Sequence, residues 1–161
     1  MEDHADIIIQ IRKLVRSVNL ESKQIQKDFG ISIPQLLCLK YLSQTNNYQG
    51  THKELTEYLN LNSSTVTGII NRLEKKGLVA RLPKKEDKRL TNISLTSAGY
   101  QLLENTPALL HNKLLKRVYD LPEDEILSIK DSLKKLVALL GIEKVDASAL
   151  LIVEEPAQPE E

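Results

Sequence analysis

Apolar residues recur at helical spacing along the first segment of the chain, from Asp6 to Phe29. Successive apolar positions are separated by four, three, four, seven and four residues, and the series breaks once, at Ser22. This spacing predicts an amphipathic helix, and Gly30 stands where such a helix would end. The helix would be roughly 35 Å long at 1.5 Å per residue, so we expect part of its apolar stripe to meet a second subunit.

The next segments also carry helical signals. Ser32 and Pro34 predict a helix start, and the residues up to Gln44 are apolar on most sides, which indicates a central helix. Residues 46–50 predict a loop, and Thr51 is placed to cap a short helix.

The spacing of apolar residues changes after Gly77. A tight turn at residues 60–62 leads into a helix from Ser63 to Lys76, which Gly77 ends. Beyond Gly77 the period changes from helical to alternating, so Leu78–Leu82 and Thr91–Leu95 are strand candidates. Helix, turn, helix, strand, hairpin and strand in this order predict a winged helix-turn-helix.

The remaining segments are again helical. Thr96 is placed to cap a long helix to about Asp120, which Pro107 should kink, and the last helix ends near Leu140. The predicted fold class is mainly α (α+β by strict count). It comprises a winged helix-turn-helix DNA-binding lobe and long N- and C-terminal helices that form a dimerisation lobe.

The domain organisation follows from these elements. We expect a single domain over residues 1–140, with dimerisation helices in 6–44 and 97–140 and the DNA-binding lobe in 51–96. Residues 141–161 are rich in Glu and Pro towards the end, which predicts a partly disordered tail.

Charge is distributed unevenly, although the formal net charge of the 161 residues is zero. Residues 62–91 contain eight basic and three acidic side chains, whereas residues 119–161 contain eleven acids and four lysines. A local basic segment is what binding to a phosphate backbone requires, although a solvated charged face would show the same pattern.

The helix from Ser63 to Lys76 has two different faces. Small hydroxyls on its polar face fit a major groove about 12 Å wide and can bond base edges, while Arg72, Lys75 and Lys76 can meet phosphates. Many surface helices have a polar face, so this helix alone is weak evidence. Its buried face is expected to comprise Val66, Ile69, Ile70 and Leu73. Its predicted DNA contacts are Ser63, Ser64, Thr65, Thr67, Asn71, Arg72 and Lys75.

The predicted hairpin tip supplies further cations. A lysine or arginine placed in a narrow minor groove gains from the enhanced negative potential there. Asp87 is expected to pair with a neighbouring arginine and hold it in position. The predicted DNA contacts of the tip are Lys84, Lys85, Lys88 and Arg89.

Two motifs resemble the MarR family of regulators. The run from Ser64 to Arg81 is similar to the family's recognition helix and first wing strand. The run from Asp87 to Gly99 is similar to its wing signature, Asp-x-Arg followed by Leu-Thr-x-x-Gly. One departure is Asn71, where the family often has Asp, and this would weaken a salt bridge to the wing.

The resemblance implies a function. It implies a homodimer, joined by the first and last helices, whose recognition helices enter successive major grooves of a near-palindromic double-stranded DNA. It also implies a sequence-specific transcriptional regulator, a repressor that a small aromatic or phenolic effector releases. The residues that could place polar groups in the effector pocket are Arg12, Arg16, Cys38 and Tyr41.

Enzymatic function finds little support. His4, His52 and His111 have no metal-ligand spacing, so no metal, cofactor or catalytic site is predicted. The single Cys38 lies in an apolar segment, which favours a buried, inert thiol over a redox sensor. An unpaired cysteine, an acidic N-terminus and the lack of a long apolar run predict a cytoplasmic chain without a membrane segment.

One further function class stays open. The aromatic residues are scattered, which argues against binding of RNA or single strands. The alternative function is a winged-helix protein-interaction module without DNA binding. Such a module should have an apolar or acidic outer helix face, unlike the face that carries Ser64, Thr67 and Asn71.

Overall fold

The structure, a computed structural model, describes residues 2–83 and 91–145. The chain forms two compact units. Among the described residues, the terminal-helix unit contains 2–21 and 107–145, and the winged-helix unit contains 22–83 and 91–106. The elements in chain order are α1 (Glu2–Phe29), α2 (Ile33–Gln44), a 3₁₀ turn (Asn46–Tyr48), β1 (Gln49–Thr51), α3 (His52–Leu59), α4 (Ser63–Lys75), β2 (Val79–Pro83), β3 (Thr91–Leu95), α5 (Ser97–Asn105), α6 (Leu110–Tyr119) and α7 (Glu123–Leu140).

Helix α2 lies at the centre of the winged-helix unit. It packs against α3, α4, α5, β1 and β3. Leu39 and Leu42 are fully buried in this core. A capping box closes the first turn of α2. The backbone N–H of Gln35 donates to the Ser32 hydroxyl, and the backbone N–H of Ser32 donates to the side-chain oxygen of Gln35. The prediction of a central helix is confirmed.

A small antiparallel sheet contains the two strands of the predicted hairpin and one strand that was not predicted. The strand order is β1-β3-β2, and Gly50 and Arg81 lie opposite Ile93 on its two sides. The prediction that residues 46–50 form only a loop is therefore wrong. With three residues, β1 is too short to show an alternation of apolar and polar positions in the sequence. It is a strand because its backbone pairs with β3. A Cβ atom at Gly50 would lie 3.2 Å from the Leu42 side chain, so a glycine allows this close approach.

The long helix predicted after Thr96 is two helices. α5 ends at Asn105 and α6 begins at Leu110, so Pro107 breaks the helix instead of kinking it. Proline disfavours helical backbone at the residue before it, and Thr106 is indeed extended, with φ −85° and ψ 132°.

The two units group the helices differently from the expected division into residues 6–44, 51–96 and 97–140. α2 and α5 belong to the winged-helix unit, whereas α6 and α7 belong to the terminal-helix unit. α5 lies close to the backbone just before β2, where a Cβ atom added at Gly99 would overlap the Leu78 carbonyl oxygen. The dimerisation role of the terminal helices stays a prediction.

Candidate nucleic-acid interface

Helix α4 begins at a well-defined cap. The side-chain oxygen of Asn62 accepts from the backbone amide of Thr65 and from the hydroxyl of Ser64, at 2.8 Å in both cases. Such a cap satisfies amide groups that have no partner within the helix. The first turn of α4, where the predicted base-reading hydroxyls lie, is therefore held in one conformation.

The two faces of α4 differ as the periodicity predicts. Val66, Ile69, Ile70 and Leu73 are buried. Thr65 is half-buried at the border, and the remaining predicted contacts are exposed. These exposed residues are Ser63, Ser64, Thr67, Asn71, Arg72 and Lys75.

The hydroxyl of Thr67 joins α4 to α3. It donates to the Ser63 carbonyl at 2.9 Å, so its contact with Nε2 of His52, also 2.9 Å, requires the imidazole to donate. Thr56, one turn further along α3, donates its hydroxyl to the His52 backbone carbonyl at 2.8 Å. Sequence reasoning assigned no role to His52, because a contact fifteen residues apart depends on how α3 packs on α4.

Asn71 and Glu74 are joined to the first wing strand by Arg81. The guanidinium donates through one nitrogen to the Asn71 side-chain oxygen and through the other to a Glu74 carboxylate oxygen. Asn71 was expected to weaken a salt bridge between α4 and the wing, because it lacks the negative charge of Asp. Glu74, one turn further along α4, supplies the carboxylate for a salt bridge to Arg81 instead. Arg81 therefore links the strand to the helix through both acceptors.

The three basic residues at the end of α4 have different surroundings. Lys75 is exposed. Lys76 donates to the Gly30 carbonyl, which lies just beyond the C-terminus of α1. The phosphate contact suggested for Lys76 stays a prediction. Arg72 is exposed and engaged in an interaction of its own.

The predicted wing contacts lie outside the described residues. β2 and β3 pair up to Pro83 and Thr91, so these two residues face each other at the base of the hairpin. Nothing in the structure tests the roles assigned to the residues between them. The residues with an assigned role are Lys84, Lys85, Asp87, Lys88 and Arg89.

The four residues proposed for an effector pocket do not come together within either unit. Arg12 and Arg16 are exposed in the terminal-helix unit. Tyr41 packs on Tyr58 in the winged-helix unit, with ring centroids 4.8 Å apart. Partial burial, followed by the nearby Glu54 and Glu57 carboxylates, raises the pKa of the Tyr41 hydroxyl. Cys38 has no exposed surface with which to line a pocket.

The thiol of Cys38 is chemically quiet in this environment. Desolvation by burial raises the pKa of Cys38 to about 12. Since the thiolate is the reactive form, the thiol stays unreactive at neutral pH. The expectation of a buried cysteine is confirmed, and its inertness stays a prediction.

A cavity of about 310 Å³ lies elsewhere in the winged-helix unit. Two tyrosine rings at its wall, Tyr48 and Tyr100, meet edge to face with centroids 5.9 Å apart. Tyr48 adopts a left-handed backbone with φ 56°, an uncommon conformation for a bulky residue. Its lining residues are Tyr48, Leu95, Thr96, Ser97, Tyr100 and Gln101. Periodicity did not reveal this cavity, because three separate elements line it.

Two further features are absent from residues 2–83 and 91–145. Within them, no cluster of three or more His, Cys, Asp or Glu residues has the proximity needed to hold a metal ion. Within the same ranges, no helix combines the length and apolarity required to cross a membrane.

Known proteins share this sequence pattern. The sequence model of the MarR family matches residues 31–91, from just before α2 to the start of β3. PapX of Escherichia coli, an HTH-type transcriptional regulator, is 31% identical over 111 residues, which are 68% of this chain and 67% of PapX. The chain belongs to the MarR family.

The similarity to MarR-family regulators extends beyond the winged helix. MdtR of Bacillus subtilis, an HTH-type transcriptional repressor, is 26% identical over 132 residues, which are 82% of this chain and 84% of MdtR. The structure of S. aureus MepR in a complex with DNA matches with a TM-score of 0.62 and 25% identity. The match covers 81% of this chain and 96% of MepR.

Proposed function

We propose that this protein is a sequence-specific transcriptional repressor that binds duplex DNA in the cytoplasm as a homodimer and is released by a small aromatic effector. The observation that carries the proposal is the outer face of α4, where exposed polar side chains are backed by a fully apolar buried face. The DNA complex of MepR and the repressor MdtR support it. They favour DNA binding over the alternative of a protein-interaction module, and a catalytic role is no part of the proposal.

The spacing on α4 suits a major groove. Thr67, Asn71 and Lys75 follow one another at intervals of four residues, so they lie on one side of the helix. The 13 residues of α4 span roughly 20 Å at 1.5 Å per residue. In this arrangement the first two side chains would face bases, and Lys75 would face a phosphate at the groove wall.

The apolar surface of the terminal-helix unit supports a dimer. α1, α6 and α7 expose many large apolar side chains, among them Leu14, Leu114 and Leu133. Monomeric proteins rarely leave contiguous apolar surface of this kind in water, and a symmetric partner covers it. A dimer places two copies of α4 about 34 Å apart on one side of the DNA, one turn of the double helix.

The cavity beside Tyr48 and Tyr100 is our candidate effector site. Its volume of about 310 Å³ is at the small end of the range for ligand pockets and suits a single aromatic ring. Tyr100 offers stacking, and Ser97 and Gln101 offer hydrogen bonds to a phenol or carboxylate. Cys38 is not part of this candidate site, because its side chain is fully buried elsewhere in the winged-helix unit.

The DNA-binding proposal is tested first. Random-duplex selection with the purified protein should enrich a near-palindromic site, and light scattering should report a dimer. Binding to that site should weaken steeply with salt, because phosphate contacts release counterions. Lys75→Met should reduce the log–log salt slope by about two for a dimer, whereas Lys130→Met on α7 should leave it unchanged. Failure to bind any duplex at low salt would refute the proposal.

The effector site needs a separate test. A panel of phenols and aromatic carboxylates is titrated into the protein–DNA complex, and release is followed by fluorescence anisotropy. Tyr100→Ala should abolish release by an active compound, whereas Arg16→Ala should not. The reverse pattern would move the site to the terminal-helix unit.

A further inference from the structure

We propose that Asn71 reads DNA as a hydrogen-bond donor only, because Arg81 fixes the orientation of its side-chain amide. The inference rests on the proposed function and specifies which base edges this position selects. It identifies Asn71 as a specificity-determining residue and Arg81 as the residue that positions it.

The orientation of the Asn71 amide follows from the chemistry of its neighbour. A guanidinium group carries five N–H donors and no acceptor. The Asn71 atom that faces Arg81 must therefore be the amide oxygen, as the contact from Nη2 to Oδ1 requires. If the amide turned over, two donors would face each other and the hydrogen bond would be lost.

Glu74 holds the guanidinium in the position that this orientation needs. Arg81 donates to Asn71 and Glu74 through different nitrogens, so both arms of its planar fork are engaged. The ion pair is partly exposed, with 34% and 40% of the two side chains accessible, so its contribution to stability is small. The main effect of Glu74 is on the position of Arg81 and hence on the Asn71 amide.

The fixed amide limits what Asn71 can recognise. Asparagine commonly reads adenine with two hydrogen bonds, in which the amide oxygen accepts from the base amino group. At Asn71 one of the two lone pairs of that oxygen accepts from Arg81, and the positive charge of the guanidinium disfavours the approach of an amino group to the other. The two N–H groups of Nδ2 are then the donors that Asn71 can offer to a base edge. Acceptor edges, which guanine presents at O6 and N7 and thymine at O4, should therefore be preferred over the paired adenine contact.

The test compares base preferences among matched variants. Random-duplex selection is run with the wild type, Asn71→Asp, Arg81→Met and Lys75→Met, and the contacted base pair is the one whose preference changes in Asn71→Asp. The wild type should favour guanine or thymine there over adenine by roughly tenfold in competition binding. Asn71→Asp should invert this preference towards the amino groups of cytosine and adenine, because a carboxylate only accepts.

The Arg81 variant isolates the positioning effect. Arg81→Met should free the Asn71 amide to turn over. Duplexes with adenine at the contacted base pair should then bind at least as tightly as duplexes with guanine or thymine there. Lys75→Met also removes one positive charge from the interface, and it should weaken all duplexes alike without changing the preferred base. Thermal unfolding verifies that each variant is folded. If Arg81→Met does not fold, Glu74→Gln takes its place. Glu74→Gln should shift the base preference towards adenine to a smaller extent.

The possible outcomes separate the two proposals. If no variant and no wild-type protein enriches any duplex, the proposed function itself fails. If a site is selected but adenine is preferred at the Asn71 position by the wild type, only the donor inference is overturned. An unchanged base preference in folded Arg81→Met would likewise overturn it.

Discussion

The two units of this protein differ in how completely they bury their apolar residues. In the winged-helix unit Leu39, Leu42 and Leu55 have no exposed surface. In the terminal-helix unit Leu114 is 61% exposed and Leu133 is 50% exposed, and Leu109 is the one apolar side chain buried among its described residues. One unit has a core of its own, whereas the other leaves most of its large apolar side chains exposed. The proposed DNA-reading unit and the proposed dimer interface would therefore rely on different sources of stability.

The largest expected effect comes from truncating leucine in each unit. Leu55→Ala should lower the free energy of unfolding by about 2–5 kcal/mol, because it opens a cavity in a closed core. Leu114→Ala should cost less in the isolated chain, because Leu114 is largely exposed there. Urea unfolding at two protein concentrations measures both effects. Equal losses that do not depend on concentration would contradict the comparison.

The next effect concerns assembly. Leu133→Glu should raise the dimer dissociation constant by about 100-fold or more, since each of two symmetric leucines contributes at least about 1.5 kcal/mol when buried. Ser128→Glu adds the same charge to a polar position of α7 and should leave the dimer intact. Sedimentation equilibrium measures both constants. If Leu133→Glu remained as dimeric as the control, the exposed face of α7 would have another partner.

Two glycines sharpen the comparison within the winged-helix unit. Gly99→Ala should destabilise the fold by about 1–3 kcal/mol, because the added Cβ would overlap the Leu78 carbonyl oxygen. Gly68→Ala on α4 meets only the end of the Arg72 side chain, at 3.9 Å, and should stabilise the helix by about 0.5–1 kcal/mol. Thermal unfolding distinguishes the two. If Gly99→Ala stabilised the fold, α5 would not approach the Leu78 backbone this closely.

The last effect is absent at neutral pH and appears only at high pH. Burial raises the pKa of Cys38 from 9.0 to about 12, so the folded state favours the neutral thiol. The stability that this provides is fully present below pH 9 and is lost as the pH rises towards 12. Over that window the wild type should lose about 1.4 kcal/mol per pH unit more than Cys38→Ala, in matched urea unfolding curves. Rapid labelling of the native thiol at pH 7.5 would contradict the burial on which this rests.

Much of the fold followed from local patterns. The apolar period of α4 predicted its buried face, and Ser32 with Pro34 predicted the start of α2, because periodicity and caps act within a few residues. The break at Pro107 was placed correctly but underestimated, since a proline restricts the residue before it as well as the helix itself.

The sequence by itself determined which residues of α4 are buried, where α2, α3 and α4 begin, and that two strands follow α4. Tertiary structure alone decided that Gly50 joins a third strand, that His52 holds Thr67, and that Arg81 holds Asn71. Those contacts join residues ten or more positions apart on different elements, or depend on pairing with a distant strand. Such geometry arises only when the elements pack, because no local spacing specifies which side chains of two helices or of a helix and a strand will meet.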